Sequence, residues 1–205
     1  GAETWLKNVG RQMIEYYFKD PRYYTNGGRP VVFMFGWENF LSGFTSGAQE
    51  LLERLGDMCV EEGIGRPIYI VNVGENYSDT TIDRVKALGA DGLYHYSISG
   101  WSSYANNMNL RDLEIAEENN FGYVPTISTG FDDYAWNRTV GYRRSADQIG
   151  WELQQYKDVF LPRLQGSDTL KTPMINLATW SEWTEGHYWG PSEGYGFSLL
   201  GHVKD

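Results

Sequence analysis

Met174-Ile175-Asn176-Leu177-Ala178-Thr179, followed at once by Trp180-Ser181-Glu182-Trp183-Thr184-Glu185-Gly186, is the stretch on which the fold and chemistry turn. The first six residues have the length and apolar or β-branched content of a buried strand. The next seven set two carboxylates three residues apart among large aromatic rings. Glu182 and Glu185 are therefore expected at the C-terminal end of a strand, which is where an α/β barrel assembles its chemistry. Glycoside hydrolysis commonly uses two carboxyl groups, one to protonate the leaving oxygen and one to act as base or nucleophile. A Glu-x-x-Glu pair on one side of a turn can supply both. Two glutamates in a loop are more often simply solvated. Here Trp180, Trp183, Tyr188 and Trp189 crowd the same stretch and favour a ring-walled site.

Upstream, four more strand-like runs precede the one at Pro173 to Thr179: Pro30 to Gly36, Pro67 to Val73, Gly92 to Ile98 and Gly122 to Ser128. Amphipathic segments separate them, at Ser46 to Glu62, Asp79 to Leu88, Leu110 to Asn119 and Ser145 to Leu164. The chain opens on another, with Trp5, Val9, Met13 and Tyr16 or Tyr17 at helical spacing. Strands alternating with helices predict an α/β fold with a parallel sheet. The expectation is a TIM-barrel-type (β/α)8 fold to which this chain supplies about five βα units, since a full barrel takes roughly 250 residues and eight units. The chain reads as one domain over residues 1–205, the C-terminal part of such a barrel. No glycine-rich phosphate fingerprint opens a helix, so a nucleotide-binding doubly wound sheet is the weaker reading.

Composition narrows the partners. The 205 residues carry a net charge of -10, which disfavours nucleic acid and anionic membrane surfaces. Aromatic residues make up 16% of the chain, and several fall at expected strand ends, where flat rings suit the apolar faces of sugars. An oligosaccharide or polysaccharide is the expected substrate. No apolar run approaches the roughly 20 residues of a bilayer span, so no membrane insertion is expected. Cys59 is the only cysteine, which leaves no intramolecular disulfide and no structural zinc set. Three histidines without an HExxH pair point to no metal; Asp132-Asp133 leaves calcium as the one alternative. No cofactor is expected. Oligomeric state is open, and so is compartment, with an extracellular or periplasmic place favoured should the parent gene carry a signal peptide. The sequon-like Asn76-Tyr77-Ser78 and Asn137-Arg138-Thr139 are too short to carry weight.

Further candidate substrate-binding residues follow from the rule that loops after barrel strands build the site. They are Trp37 after the first strand run, Glu75 after the second, and His95, Tyr96 and Trp101 in or after the third. Asp132, Asp133 and Trp136 follow the fourth. His95, inside its strand, is equally readable as a core histidine.

Three segments carry a resemblance to a known group. Trp180-Ser181-Glu182-Trp183-Thr184-Glu185-Gly186 with Gly190-Pro191 and Gly194-Tyr195-Gly196 resembles a WNEWxEG…EP…YG signature. Tyr17-Phe18-Lys19-Asp20-Pro21-Arg22-Tyr23-Tyr24, with Gly28-Arg29-Pro30-Val31-Val32-Phe33, resembles a segment leading into a barrel strand. Gly130-Phe131-Asp132-Asp133 resembles a later loop. Together they look like the glycoside hydrolase family 99-like group, which includes WbsX-like proteins and endo-α-mannosidases. The resemblance implies a (β/α)8 barrel and cleavage of an α-linked, mannose-containing glycan. It implies Glu182 as the base that acts on the substrate's own 2-hydroxyl and Glu185 as general acid and then base. Ser181 stands where the group has Asn, and Trp189-Gly190-Pro191 lacks the group's Glu before Pro. Two other classes remain: a glycan-binding module without activity, and a glycosyltransferase-like protein of polysaccharide biosynthesis.

Overall fold

A computed structural model describes residues 1–44, 47–138 and 141–204. Ser46, at the start of one expected helix, and Thr139 of the second sequon lie outside the described residues. The chain divides into two compact units, Gly1–Gly92 with Thr169–Thr172, and Leu93–Asp168 with Pro173–Asp205.

In the first unit the opening helix α1 (Ala2–Trp5) runs on through wide π-type turns at Leu6–Gly10 and Met13–Phe18. Strand β1 (Thr25–Asn26) turns antiparallel into β2 (Arg29–Met34). The short helix α2 (Trp37–Gly43) and the long helix α3 (Ala48–Glu61) then lead to β3 (Ile68–Asn72) and α4 (Asp79–Leu88). Strands β2 and β3 pair in parallel with Val31 opposite Ile68 and Met34 opposite Val71. Such pairing needs a crossover helix, the part taken by α3. Helix α4 has the expected ends: Ser78 and Thr81 form a capping box, and Gly89 closes the helix in the left-handed region at φ 75°.

The opening segment corrects the sequence reading by one residue. The buried positions are Leu6, Gly10, Ile14 and Phe18, whereas Val9, Tyr16 and Tyr17 are exposed. A π-type turn advances more residues per revolution than an α-turn. The inward face consequently repeats every fourth residue, on the stripe beside the expected one. Gly10 belongs to that face because a side chain there would meet Leu55 Cδ1 at 3.3 Å. Leu51, Leu55 and Cys59 from α3 complete this core, and burial pushes the Cys59 thiol up to about 11.

The second unit holds β4 (Gly92–Tyr94) from Leu93 onward, α5 (Ser102–Glu118) and β5 (Gly122–Val124), with β4 and β5 as neighbours. Strands β6 (Thr126–Ser128) and β7 (Gly130–Phe131), helix α6 (Tyr134–Asn137) and strand β8 (Tyr142–Arg143) follow. Helix α7 (Ala146–Gln155) passes through a π-type turn at Tyr156–Phe160 into α8 (Leu161–Leu164). Strand β9 (Asn176–Ala178) and helix α9 (Ser198–Lys204) end the chain. One expected strand, Gly122 to Ser128, is two, because Pro125 has no N–H to give a ladder. Past it, β6 pairs in parallel with β9, Thr126 opposite Asn176 and Ser128 opposite Ala178.

Helix α5 begins well before the expected Leu110. Its inward face includes Ser102, Asn109 and Asp112, so apolar periodicity alone finds only the second half. Asn109 Oδ1 accepts from the Tyr123 hydroxyl at 2.7 Å and Thr126 N at 2.9 Å, and its amide donates to Thr126 O at 3.0 Å.

Arg144 is the deepest charge in this unit, fully buried. Its guanidinium donates to Ile98 O at 2.9 Å, Ser99 O at 3.3 Å and Gly100 O at 3.2 Å, and to Ser128 O. The Glu152 carboxyl of α7 lies 3.2 Å away. Burial outweighs the nearby cation and the Ser102 hydroxyl beside it, and pushes the Glu152 carboxyl up to about 7. A carboxyl held above its ordinary 4.5 keeps its proton longer folded than unfolded, so its contribution is full below about 4.5 and is lost as pH rises to about 7. At one to two pH units above that window the cost is on the order of 3 kcal/mol. Glu152→Gln should therefore gain stability relative to the parent between pH 5 and pH 8, as read by urea unfolding at each pH; a parallel pH dependence in both proteins would remove this assignment.

Candidate active site

The segment after β9 leaves the strand, makes a loop and returns to it. Thr179 anchors both arms: its hydroxyl donates to His187 O at 2.9 Å and accepts from Glu182 N at 3.3 Å. Trp189 N donates to Thr179 O at 2.8 Å and Gly190 N to Trp180 O at 3.0 Å. Glu182 and His187 form an antiparallel bridge between the arms. At the tip a single 3₁₀ turn, Trp183–Glu185, ends on Gly186 at φ 64°. The chain can reverse there because glycine adopts the left-handed region without a Cβ clash. The two glutamates thus flank a tight turn whose base is pinned by four hydrogen bonds, two of them through the Thr179 hydroxyl.

A second segment braces the tip. Asp132 N donates to Glu185 O at 2.8 Å. A Cβ on Gly186 would come within 2.8 Å of Asp132 Cβ and 2.9 Å of Asp132 O. The Asp132 carboxylate is occupied in its own turn, accepting from Tyr134 N at 3.1 Å and Gly141 N at 3.3 Å. Asp133 precedes α6 and accepts from the Asn137 side chain. Trp136, on α6, is exposed. No group of three or more metal-ligating side chains occurs among the described residues.

The two carboxylates share a neighbour in Tyr96, at the end of the β4 run. Burial first, then the charges of Glu182 and Glu185, pushes its hydroxyl above the ordinary tyrosine value. His187 completes the constellation. Its Nε2 lies 2.8 Å from Glu185 Oε2, and its ring stands perpendicular to Tyr96 at 5.7 Å and tilted against Phe131 at 5.8 Å. The ring is fully buried, and Nδ1 meets no partner among the described residues. A carboxylate accepts only, so with Glu185 ionised the shared proton sits on Nε2; with Glu185 protonated the imidazole can accept it. The sequence reading named His187 only in weighing a metal. Its signal was the Glu-Gly-His order, since a left-handed glycine folds the side chains on either side of it toward one another.

Behind the tip, Trp183 packs on Tyr188 with ring centroids 4.1 Å apart. Arg143 lies 4.4 Å over Tyr188 and 5.1 Å over Tyr195. Trp180 and Trp183 remain exposed, as ring surfaces at the rim. Trp101 is exposed too and stacks on Tyr142 at 4.2 Å.

Four expected binding residues are buried, Tyr188 behind the tip and three more in the core. Trp37 is fully buried in the first unit, its indole donating to Asn72 O at 2.8 Å and Arg84 lying over its ring at 5.3 Å. His95 is buried in a pair with Asp112, whose other oxygen accepts from Arg111 Nε at 2.8 Å. His95 lies just past β4, which ends at Tyr94, and turns toward Asp112 of α5, while Tyr96 meets the His187 ring. Trp189 is buried among Ile127, Ile149 and Leu199, and its indole donates to Ala178 O at 3.2 Å. Rings fixed in this way offer no face to a ligand. Glu75 is half-buried in the first unit.

A scan of protein-family models finds none that matches the chain, and a search of curated proteins finds no match. Solved structures do resemble it. One is the GH99 endo-α-mannosidase from Bacteroides thetaiotaomicron, at a TM-score of 0.57 and 17% identity over 99% of this chain and 60% of that one. Another is a GH99 endo-α-mannosidase from Bacteroides thetaiotaomicron in complex with bis-tris-propane, at 0.56 and 16% over 99% and 63%. The chain spans less than two thirds of these structures. The likeness is one of fold.

Gly186→Ala should test the brace directly. Both the positive φ and the Asp132 backbone oppose a methyl group, so the variant should lose about 1 to 3 kcal/mol in denaturant unfolding. Parental stability would show that the tip is not held as described.

Proposed function

We propose that the protein is a glycoside hydrolase acting on an α-linked, mannose-containing glycan, and that its chain forms about five βα units of an eight-unit barrel. The observation that carries the reading is that Glu182 and Glu185 flank one braced turn after β9, with His187 Nε2 2.8 Å from Glu185 and both glutamate charges acting on Tyr96. The fold likeness to endo-α-mannosidases supports it. So does the order of the WxEWxEG, PVVF and GFDD segments. The same resemblance groups the chain with WbsX-like proteins.

In this reading Glu185 enters protonated and gives its proton to the glycosidic oxygen as the bond from C1 breaks. Glu182 takes the proton from the 2-hydroxyl, whose oxygen closes on C1 to form an anhydrosugar. Glu185, now a carboxylate, takes a proton from water; the water oxygen attacks C1, the C1–O2 bond opens, and Glu182 returns its proton to O2. Each carboxyl ends as it began. His187 holds the Glu185 carboxyl by its Nε2 contact through both states, and Tyr96 offers a hydroxyl beside both acids. Trp180 and Trp183 supply ring faces for the sugar, and Trp136, Asp132 and Asp133 are assigned to more distant sugar contacts.

Reducing-sugar release from α-mannan oligosaccharides tests the proposal. Glu185→Gln and Glu182→Gln should each lower turnover by about 10²- to 10⁴-fold, the usual weight of a general acid–base group, with thermal unfolding unchanged. Turnover equal to the parent in either variant would remove that residue from the chemistry. Retention of glycan with no turnover by the parent protein would favour the binding-module reading.

A further inference from the structure

We infer that a second carbohydrate subsite lies in the second unit, in a cavity of about 420 Å³ between the first turns of α5 and α7. Its occupant is a neutral pyranose ring of the same glycan, and the inference rests on the carbohydrate reading above. The lining is Trp101, Ser102 and Ser103 from one side and Asp147, Gln148 and Trp151 from the other.

Two tryptophans leave ring surface open here, Trp101 at 63% exposure and Trp151 at 43%. Exposed indoles beside a cavity are costly to leave in water unless something covers them, and a sugar ring presents matching C–H faces. The polar groups suit hydroxyls. Asp147 is an acceptor, and Ser103 can donate or accept. The lining carries an acid and no base, which excludes an anionic occupant.

The site is also built in advance. Trp101 is stacked on Tyr142, whose hydroxyl accepts from Gln148 Nε2 at 2.6 Å. Gln148 Oε1 in turn accepts from Ser145 N at 2.8 Å, and Gln148 N donates to Ser145 Oγ at 3.3 Å. Trp101 therefore has little freedom left to lose on binding, which is the usual source of affinity in a preformed site. Trp101 also belongs to the same connection after β4 as Tyr96. The proposed subsite and the neighbour of the carboxylate pair thus sit on one loop.

Retardation on gels bearing immobilised α-mannan or immobilised β-glucan tests the subsite with the parent protein, Trp151→Ala, Trp151→Phe, Asp147→Asn and Glu185→Gln. Expected is retention of the parent on α-mannan, with a loss of about tenfold in Trp151→Ala, less in Asp147→Asn, and near-parental retention in Trp151→Phe. Glu185→Gln should be retained like the parent, which separates this subsite from catalysis. Unfolding of Trp151→Ala at the parental temperature excludes a folding defect, as its half-exposed ring permits. Equal retention of Trp151→Ala and parent overturns the inference, and so does retention of the parent on neither gel. Retention on β-glucan alone, lost in Trp151→Ala, upholds the subsite while overturning the α-mannan reading. Trp151-dependent retention without turnover upholds it while overturning the hydrolase reading.

Discussion

The guanidinium of Arg144 is the constraint on which the second unit depends. It is buried, permanently charged and surrounded by carbonyl oxygens of Ile98, Ser99, Gly100 and Ser128, with Glu152 beside it. Three of these acceptors lie past the end of β4, and Ser128 is the last residue of β6. Loop carbonyls at strand ends have no ladder partner, and leaving them buried and unpaired would cost more than the net gain of a typical hydrogen bond. One five-donor side chain satisfies four of them together. The loops therefore have a fixed course, and Tyr96 and Trp101 inherit fixed positions from it.

The carboxylate loop solves a related problem locally. A Glu-x-x-Glu pair in a free loop would be solvated and mobile. Here Thr179 links the two arms, Gly186 reverses the chain, and Asp132 N takes the one carbonyl at the tip that points inward. Under the proposed reading this matters, because an acid and a base act only when held to a fraction of an ångström. The contacts that hold them are mostly backbone contacts, so the aromatic residues of the stretch are free to act as walls.

Much of this was legible beforehand. The alternation of strands and helices, α4 from Asp79 to Leu88, the Ser145 start of α7 and the carboxylates beyond the last strand follow from periodicity, caps and turn residues. The misses have separate physical causes. The first half of α5 is anchored by Asn109, whose burial is made tolerable by Tyr123 and Thr126. The stripe of the opening helix shifts because π-type turns change the period. Trp37 and Trp189 were read as mouth residues from their place after a strand, yet each found a carbonyl for its indole and a packed bed for its ring.

By itself, the sequence determined the α/β alternation, the Glu182–Glu185 pair and the glycine that turns the chain beside it, because these depend on neighbours close along the chain. Only tertiary structure decided which aromatics face solvent, that His187 takes the Glu185 carboxyl, and that Tyr96 is the neighbour common to both acids. Those pairings depend on which strand ends meet, and distance in space is set by burial and long-range hydrogen bonds that no local pattern encodes.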